Sequence, residues 1–272
     1  MKQFLLKTEP DRDGIVRLDG NDYRYLVRVR RLAGGEFFPA LLPDGKETLV
    51  QVLSVDNDLL TGKCVPADAP SSPPSSSMPA IILLQALPKG DKMDMIVRQA
   101  AEGGLTEIVP FVSEFSIAKA SAGEQKFSRW ERIIREARQQ SGSKIATTIR
   151  RPLTKEGLFS YWKELKGSCV LDKAGNTALD RANAAIGLLF HHQGLEQKPL
   201  HSYLDSVPKV VALAVGPEGG FSDTEVSLFL KNGFNPFTIG DTILRTETAA
   251  LYCAAAVRIL LLERESWQLK QK

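Results

Sequence analysis

After residue 80 the chain alternates short apolar runs with helix-length amphipathic segments, and this alternation constrains the fold more than any other feature. Such a pattern is typical of a parallel sheet covered by helices. The second part of the chain is therefore expected to be an α/β domain. Strands are predicted at Ile81 to Ala86, Leu105 to Phe111, Cys169 to Leu171, Gly187 to Phe190, Val210 to Val215 and Phe237 to Ile239.

Two segments in this region have apolar residues at helical spacing, which directs one stripe of each helix to a core. One follows the first strand, and the other begins near Lys126 and turns most of its arginines outward. The core positions are Met93, Ile96, Val97, Ala100 and Ala101 in the first helix, and Trp130, Ile133, Ile134 and Ala137 in the second.

Residues 66–79 are rich in proline and serine and have no apolar periodicity, as expected of an exposed linker. Before them, short apolar alternations such as Glu47 to Val55 predict the strands of a small β-rich domain shaped as a compact barrel. We therefore expect a first domain over residues 1–68, a linker over residues 69–79 and an α/β domain over residues 80–272.

Nothing in the sequence predicts a membrane span or an export signal. The longest apolar run, Ala249 to Leu262, contains Arg258 and is shorter than the roughly 20 residues that cross a bilayer, so it is expected to form a buried helix. Charged residues follow the first apolar residues of the chain at once, which is unlike a signal peptide. The protein is expected to be cytoplasmic.

The cysteines and histidines do not form a metal-binding pattern. Cys64, Cys169 and Cys253 lie far apart with no C-x-x-C pair, so they are expected to be reduced packing residues, and no metal is expected. The three histidines fall in a loop-rich region and are interpreted as bystanders to any chemistry: His191, His192 and His201.

Basic residues are concentrated between Lys126 and Arg151, where eight lysines and arginines face two glutamates. The formal net charge of +3 is by itself weak evidence for a nucleic-acid partner, but such clustering favours one.

Two segments near the C-terminus differ from ordinary packing sequence. In the first, residues 215–222 (VGPEGGFS), three glycines permit close approach of the backbone to a ligand at the end of a strand. It lacks the spacing of dinucleotide and phosphate loops, which disfavours NAD and ATP. The alternative is a tight turn in which Ser222 caps a helix over Asp223 to Asn232.

The second segment, residues 239–250 (IGDTILRTETAA), places polar residues between a strand end and the apolar helix. It points to a site. Alternatively, Thr246 caps that helix, Glu247 complements its dipole and Arg245 forms a surface ion pair.

At these two segments the sequence resembles the SPOUT superfamily of methyltransferases, and within it the ribosomal RNA small subunit methyltransferase E family. The resemblance covers nearly the whole chain. Its further supports are residues 84–94 (LQALPKGDKMD), Ala100 to Phe111, Arg129-Trp130, Glu136-Ala137, Gln140-Ser141-Gly142 and residues 243–249 (ILRTETA).

The resemblance implies a PUA-like β-barrel that binds RNA, a C-terminal trefoil knot, S-adenosylmethionine as cofactor and a homodimer formed through the knotted domain. It also implies that the strand before Gly216, the glycine loop and the later segment hold the cofactor. The implied cofactor-binding residues are Leu213, Val215, Gly216, Pro217, Glu218, Gly219, Gly220, Ile239, Gly240, Ile243, Leu244, Arg245 and Thr246.

The implied reaction is methylation of uracil N3 in 16S ribosomal RNA of the small subunit, in the decoding region. Because N3 is paired in a helix, the base must be unpaired or flipped out. Arg245 is expected to stabilise the uracil anion or hold a phosphate, and Glu247 to orient Arg245 or help remove the proton. The expected RNA-binding residues are Arg24, Arg28, Arg30, Arg31, Lys89, Arg129, Arg132, Arg135 and Arg138.

Two departures from the family pattern concern RNA contacts, since Phe115 and Ser143-Lys144 stand where arginine is frequent. Two alternative functions stay open. One is a SPOUT enzyme that methylates a ribose 2′-oxygen, although residues 245–247 stand where such enzymes usually have Ser-Leu-Asn. The other is a catalytically silent RNA-binding or ribosome-assembly factor, against which the intact glycine loop argues.

Overall fold

The computed structural model describes residues 4–65, 78–116, 124–170, 184–191, 194–205 and 208–264, without the side chains of residues 169, 170 and 264. Its contacts divide the chain into two compact units. Unit 1 comprises Met1–Ser76 with Arg135–Ala146, and unit 2 comprises Ser77–Ile134 with Thr147–Lys272. Most of the predicted linker lies outside the described residues.

Unit 1 is built on a five-stranded sheet of order β1-β3-β4-β5-β2, in which only the β1–β3 pair is parallel. A bulge between Val52 and Ser54 interrupts the register of β4 and β5. Alternate side chains of the strands point to one core, around the fully buried Leu26, Phe38 and Leu60. The elements are β1 Phe4–Leu5, β2 Ile15–Leu18, α1 Gly20–Tyr23, a π-helical turn Arg24–Val29, β3 Phe37–Leu41, β4 Glu47–Asp56 and β5 Leu59–Val65.

Unit 2 confirms the predicted parallel α/β fold. Its six strands are all parallel, in the order β11-β9-β10-β6-β7-β8. The strands are β6 Ala80–Ala86, β7 Glu107–Phe111, β8 Thr148–Ile149, β9 Ala185–Phe190, β10 Val210–Val215 and β11 Phe234–Phe237. The helices are α2 Lys92–Glu102, α3 Glu124–Ser141, α4 Lys155–Val170, α5 Leu200–Tyr203, α6 Asp223–Lys231 and α7 Thr246–Arg264. The part of α3 from Arg135 onward belongs to unit 1.

Side chains alternate across the central strands and so supply two cores. Ile82 and Leu84 of β6 face a cluster that includes Trp162 of α4 and Phe229 of α6. Phe229 contacts four other aromatic rings, at centroid distances of 5.0 to 6.3 Å. On the other face α7 packs against β6, β10 and α2. Strands buried on both faces explain why the sequence shows continuous apolar runs here.

Two predictions of secondary structure are wrong. Cys169 and Val170 end helix α4 and do not begin a strand; Leu171 lies outside the described residues. The last strand is Phe234–Phe237, earlier than predicted. A short apolar run cannot be assigned to a helix or a strand by periodicity alone, because two or three residues sample too little of either period.

Helix α7 is only half buried within unit 2, which corrects the expectation of a buried helix. Cys253, Val257 and Leu261 are at most 2% exposed, whereas Tyr252 and Ile259 are 54% and 50% exposed. The reason is geometric: one face of a single helix covers the sheet, and the opposite face has no sheet to pack on. In the described residues no helix is long and apolar enough to cross a membrane.

Candidate active site

A cavity of about 530 Å³ opens at the carboxyl ends of the central strands of unit 2. One row of the sheet forms its base, since Phe237, Phe190 and Val215 are paired in register on β11, β9 and β10. The glycine loop and the segment before α7 supply its walls. This is the edge at which open α/β sheets bind ligands. The volume lies within the range of about 300 to 1,000 Å³ that is usual for small-molecule sites.

The glycine loop connects β10 to α6 and turns back on itself. A Cβ on Gly216 would lie 3.1 Å from the carbonyl carbon of Gly220, and Gly220 has a φ of +71°, so both positions favour glycine. Ser222 then caps α6, with its hydroxyl accepting from Glu225 N and the Glu225 carboxylate accepting from Ser222 N. The two interpretations of this segment, helix cap and ligand loop, are therefore compatible.

A buried hydrogen-bond cluster joins the glycine loop to the start of α7. Gln85, which is fully buried in β6, donates from Nε2 to Thr246 Oγ1 at 3.0 Å and to the Ala86 carbonyl at 2.9 Å. Thr246 Oγ1 donates in turn to the Gly216 carbonyl at 2.6 Å. The Thr246 side chain therefore binds the loop across the sheet edge and does not cap its own helix. We call Gln85, Thr246 and Gly216 the Gln85 cluster.

Lys92 forms an ion-pair cluster at the rim of the same cavity. Its Nζ lies 2.7 Å from Glu218 Oε1 and 3.5 Å from Glu247 Oε2. Glu218 also accepts from the Lys89 backbone N–H, at 3.2 Å to each oxygen. The hydrogen bond with Glu218 raises the pKa of Lys92. Partial burial raises the pKa of Glu218, but the bonds from Lys92 and Lys89 outweigh it, so this pKa is lowered.

A third buried group holds the loop that follows β7. The Glu225 carboxylate is 2% exposed and accepts from Ser113 Oγ at 3.0 Å and from Glu114 N at 2.9 Å. Ser116 Oγ donates to the Leu87 carbonyl at 3.0 Å. The loops after β6, β7 and β10 are thus bonded to one another at the edge of the sheet where the cavity lies.

Of the cofactor-binding residues implied by the resemblance, all but Leu213 line the cavity. Leu213 is fully buried in the middle of β10 and faces the core. Other lining residues were not predicted from the sequence. The only sequence signal for them was their position near the ends of neighbouring strands. The missed lining residues are Lys92, Phe190, His191, Phe237, Thr238, Asp241, Thr242, Ala249 and Cys253.

The two residues expected to be catalytic occupy different environments. Arg245 is exposed and lines the cavity. The Glu247 side chain is 13% exposed, and its ion-pair partner is Lys92 and not Arg245. Its Oε2 atom is buried and makes no hydrogen bond within the described residues. Glu247 therefore pairs with Lys92 and is not itself among the residues that line the cavity.

The expected RNA-binding residues are mostly at the surface. Arg28 pairs with Asp58 at 3.5 Å, and Arg129 pairs with Asp94 at 2.5 Å, so neither is without a partner. Arg138 is only 5% exposed, and this burial lowers its pKa. Exposed members of the set are Arg24, Arg28, Arg31, Lys89, Arg129 and Arg132, whereas Arg30 and Arg135 are half-buried.

Histidines and cysteines add no metal centre in the parts of the chain that the structure describes, where no group of three or more potential ligands was found. His191 is buried and lines the cavity, His201 is exposed on α5, and His192 lies outside the described residues. Cys64 and Cys253 are free thiols, and burial raises the pKa of both.

Comparison with known proteins gives relatives along the whole chain. A family model for an RNA methyltransferase domain matches residues 75–258. The chain is 32% identical over 251 residues to ribosomal RNA small subunit methyltransferase E of Synechocystis sp., covering 92% of this chain and 74% of the relative. It is 31% identical to the protein of that name from Aquifex aeolicus, covering 82% and 86%.

Solved structures share the fold. Ribosomal RNA small subunit methyltransferase E from Neisseria gonorrhoeae, bound to S-adenosyl methionine, is 24% identical with a TM-score of 0.73, covering 96% of this chain and 98% of that one. A methyltransferase from Legionella pneumophila, in complex with bound SAM, is 25% identical with a TM-score of 0.71, covering 95% and 97%.

Removing the hydroxyl from the Gln85 cluster is expected to destabilise unit 2. In Thr246→Val the Gly216 carbonyl loses the closer of its two donors and Gln85 loses an acceptor, which costs about 1 to 3 kcal/mol when the groups stay buried. Urea unfolding measures the loss. Thr246→Ser keeps the hydroxyl and is expected to lose less. Equal stability of Thr246→Val and the wild type would contradict a role for the cluster.

The ion pair of Lys92 is expected to give a pH-dependent contribution to stability. Because the pKa of Glu218 is lowered, its pairing stabilises the fold above the ordinary value of 4.5 and is lost as pH falls through the lowered pKa. The difference in unfolding free energy between wild type and Lys92→Met should therefore be present at pH 7 and shrink below about pH 4.5.

Urea unfolding at several pH values measures this difference. Lys46→Met is the matched control, because Lys46 and Asp44 are also 2.7 Å apart but more exposed, and it should show a smaller difference throughout. A difference for Lys92→Met that stays constant with pH would assign the effect to packing of the lysine stem and not to charge.

Proposed function

This chain belongs to the ribosomal RNA small subunit methyltransferase E family of RNA methyltransferases, and on that premise we propose that it methylates N3 of one uridine in 16S ribosomal RNA of the small subunit. The observation that carries the proposal is that two segments of the chain line the same cavity. Two segments separated along the chain, residues 215–220 and 239–246, meet at the carboxyl edge of a parallel sheet and enclose it.

The cavity fits S-adenosylmethionine in size and in the chemistry of its walls. The glycine loop presents backbone groups without side chains, which suits the polar parts of a ligand. Val215, Ile239 and Leu244 supply apolar surface for a flat ring, in keeping with ligand sites that are largely apolar with a few polar groups. When bound there, S-adenosylmethionine supplies an electrophilic methyl group on its sulfonium.

The protein's own residues then have two tasks. Arg245, exposed on the cavity lining, is proposed to stabilise the negative charge on the uracil oxygens as N3 loses its proton, since the guanidinium is always charged and donates in a fixed fork. Glu247 is proposed to help remove that proton, since its Oε2 lies 3.5 Å from the Nζ of Lys92, a residue that lines the cavity. Orientation of the flipped base toward the methyl group supplies the remainder of the rate enhancement.

RNA binding is proposed to use exposed or half-buried basic side chains on both units. Cationic side chains that meet phosphates give salt-dependent affinity. Arg138 is left out of this set, because its burial at 5% exposure keeps it from phosphate. The proposed residues are Arg24, Arg28, Arg30, Arg31, Lys89, Arg129, Arg132 and Arg135.

Three finer features are part of the same proposal. Residues 1–68 are proposed to form a PUA-like β-barrel, in keeping with the five-stranded sheet of unit 1. The C-terminal chain is proposed to form a trefoil knot around the cavity. The protein is proposed to work in the cytoplasm as a homodimer, which would cover the apolar side chains that α7 exposes at Leu251, Tyr252 and Ile259.

Nucleoside mapping of small-subunit ribosomal RNA by mass spectrometry tests the reaction. Subunits from cells lacking the protein are expected to gain 3-methyluridine at one position in the decoding region on incubation with purified protein and S-adenosylmethionine. Methylation on ribose would favour the 2′-oxygen enzyme instead. No methylation, with no stabilisation of the protein by the cofactor, would favour a silent RNA-binding factor.

Replacing Arg245 tests its assigned role. In Arg245→Ala, turnover is expected to fall by about 10²- to 10³-fold, the usual loss when one donor to a developing anion is removed. Cofactor affinity, measured by calorimetry, should change far less. Arg17→Ala removes an exposed arginine of unit 1 outside the proposed machinery, and should keep wild-type turnover. Unchanged turnover in Arg245→Ala would contradict the assignment.

A further inference from the structure

Phe115 is a large apolar side chain that stays exposed beside the cavity. It follows β7 at the carboxyl edge of the sheet and is 47% exposed. A Cβ on Gly219 would lie 3.1 Å from Phe115 Cβ, so the side chain rests directly on the glycine loop. Most other exposed apolar side chains lie in unit 1 or on α2 and α7, away from this edge.

The position of Phe115 is set by bonds on both sides of it. Ser113 and Glu114 are bonded to the buried Glu225, and Ser116 is bonded to the Leu87 carbonyl. Glu114 also accepts from Ser222 Oγ at 2.7 Å. Polar contacts therefore hold the backbone on each side, while the ring itself is left with a solvent-facing surface.

An aromatic ring held at the rim of a nucleic-acid site matches one ligand chemistry well. A nucleobase presents a flat face of similar size, and stacking buries the exposed surface without requiring charge or a particular base. Phe115 is not among the residues that line the cavity, although Gly219 beneath it is. The ring is therefore offset from the place of methyl transfer.

We propose that Phe115 is a substrate-positioning residue that stacks on the nucleobase next to the methylated uridine. The inference rests on the proposed function, because it takes RNA as the substrate. The contact positions the flanking nucleotide, so that the neighbouring uridine enters the cavity. Because stacking involves no phosphate, its contribution to affinity does not fall with salt in the way that an arginine contact does.

A double-mutant cycle, with one change in the protein and one in the RNA, tests the stacking contact. Single-stranded RNA oligonucleotides that tile small-subunit ribosomal RNA are screened for the tightest binder of the full-length protein. Single abasic substitutions are then made along that oligonucleotide. Dissociation constants are measured by fluorescence anisotropy for the wild type, Phe115→Leu and Phe115→Tyr at two salt concentrations. Phe37→Leu, the same change at a phenylalanine that is 49% exposed in unit 1, is the matched control.

Phe115→Leu is expected to weaken binding of the intact oligonucleotide about tenfold, at both salt concentrations, while Phe115→Tyr keeps the ring and the affinity. At one abasic position Phe115→Leu should cause no further loss, because the stacking partner is already absent. Phe37→Leu should not couple to that position. On an unmethylated RNA substrate the Phe115→Leu change should raise KM and leave kcat near that of the wild type.

The opposite results overturn the inference. Equal affinity of Phe115→Leu and wild type, or a tenfold loss at every abasic position alike, would show that no base stacks on Phe115, whether or not the protein methylates uridine. Failure of the wild type to bind any oligonucleotide would do the same. Coupling at one base together with a product other than 3-methyluridine would leave the stacking contact standing and refute the proposed reaction.

Discussion

The site depends on one buried hydrogen-bond cluster, in which Gln85 and Thr246 join β6, the glycine loop and the start of α7. A glutamine in an apolar strand is costly unless its amide is bonded. Here Nε2 donates to Thr246 and to the Ala86 carbonyl, while Oε1 is buried without a hydrogen-bond partner in the described residues. This requirement restricts where α7 can begin. Because the segment before α7 forms a wall of the cavity, the cluster also sets the shape of that wall.

The charged groups around the cavity also join the glycine loop to α7. Lys92 lies between Glu218 of the glycine loop and Glu247 of α7, so the rim carries two carboxylates around one ammonium group. Electrostatic attraction thus reinforces the contact that the Gln85 cluster makes in the interior. Glu225 does the same for the loop after β7, where a buried carboxylate accepts from Ser113 and Glu114. Loops that would otherwise move independently form one bonded edge.

This rigidity bears on how RNA is selected. An enzyme that modifies a base must take it from the stack and hold it for attack, and the energy for this comes from contacts outside the reacting ring. In the proposed mode of binding, exposed arginines provide affinity that depends on charge and not on sequence. A ring fixed on the glycine loop, such as Phe115, provides a contact to one nucleotide. In this proposal the arginines attract the RNA, and the Phe115 ring positions one of its nucleotides.

Much of the architecture was predictable from the sequence, since strands buried on both faces must be apolar throughout and covering helices must be amphipathic. The glycine loop and residues 239–246 were also recognisable, because glycines and clustered polar residues at strand ends have few other uses. The end of α4 was not, since the short run at Cys169 fits either period.

Partners distant in sequence were decided by the tertiary structure alone. Neither the pairing of Gln85 with Thr246, 161 residues later, nor that of Lys92 with Glu247 leaves a local pattern, because side-chain contacts across a sheet have no fixed spacing along the chain. The burial of Arg138 and the exposed face of α7 follow from what packs against each helix. Sequence determines which residues are able to form an α/β core and a ligand loop, and the fold determines which of them meet, since only packing brings strand ends to one edge.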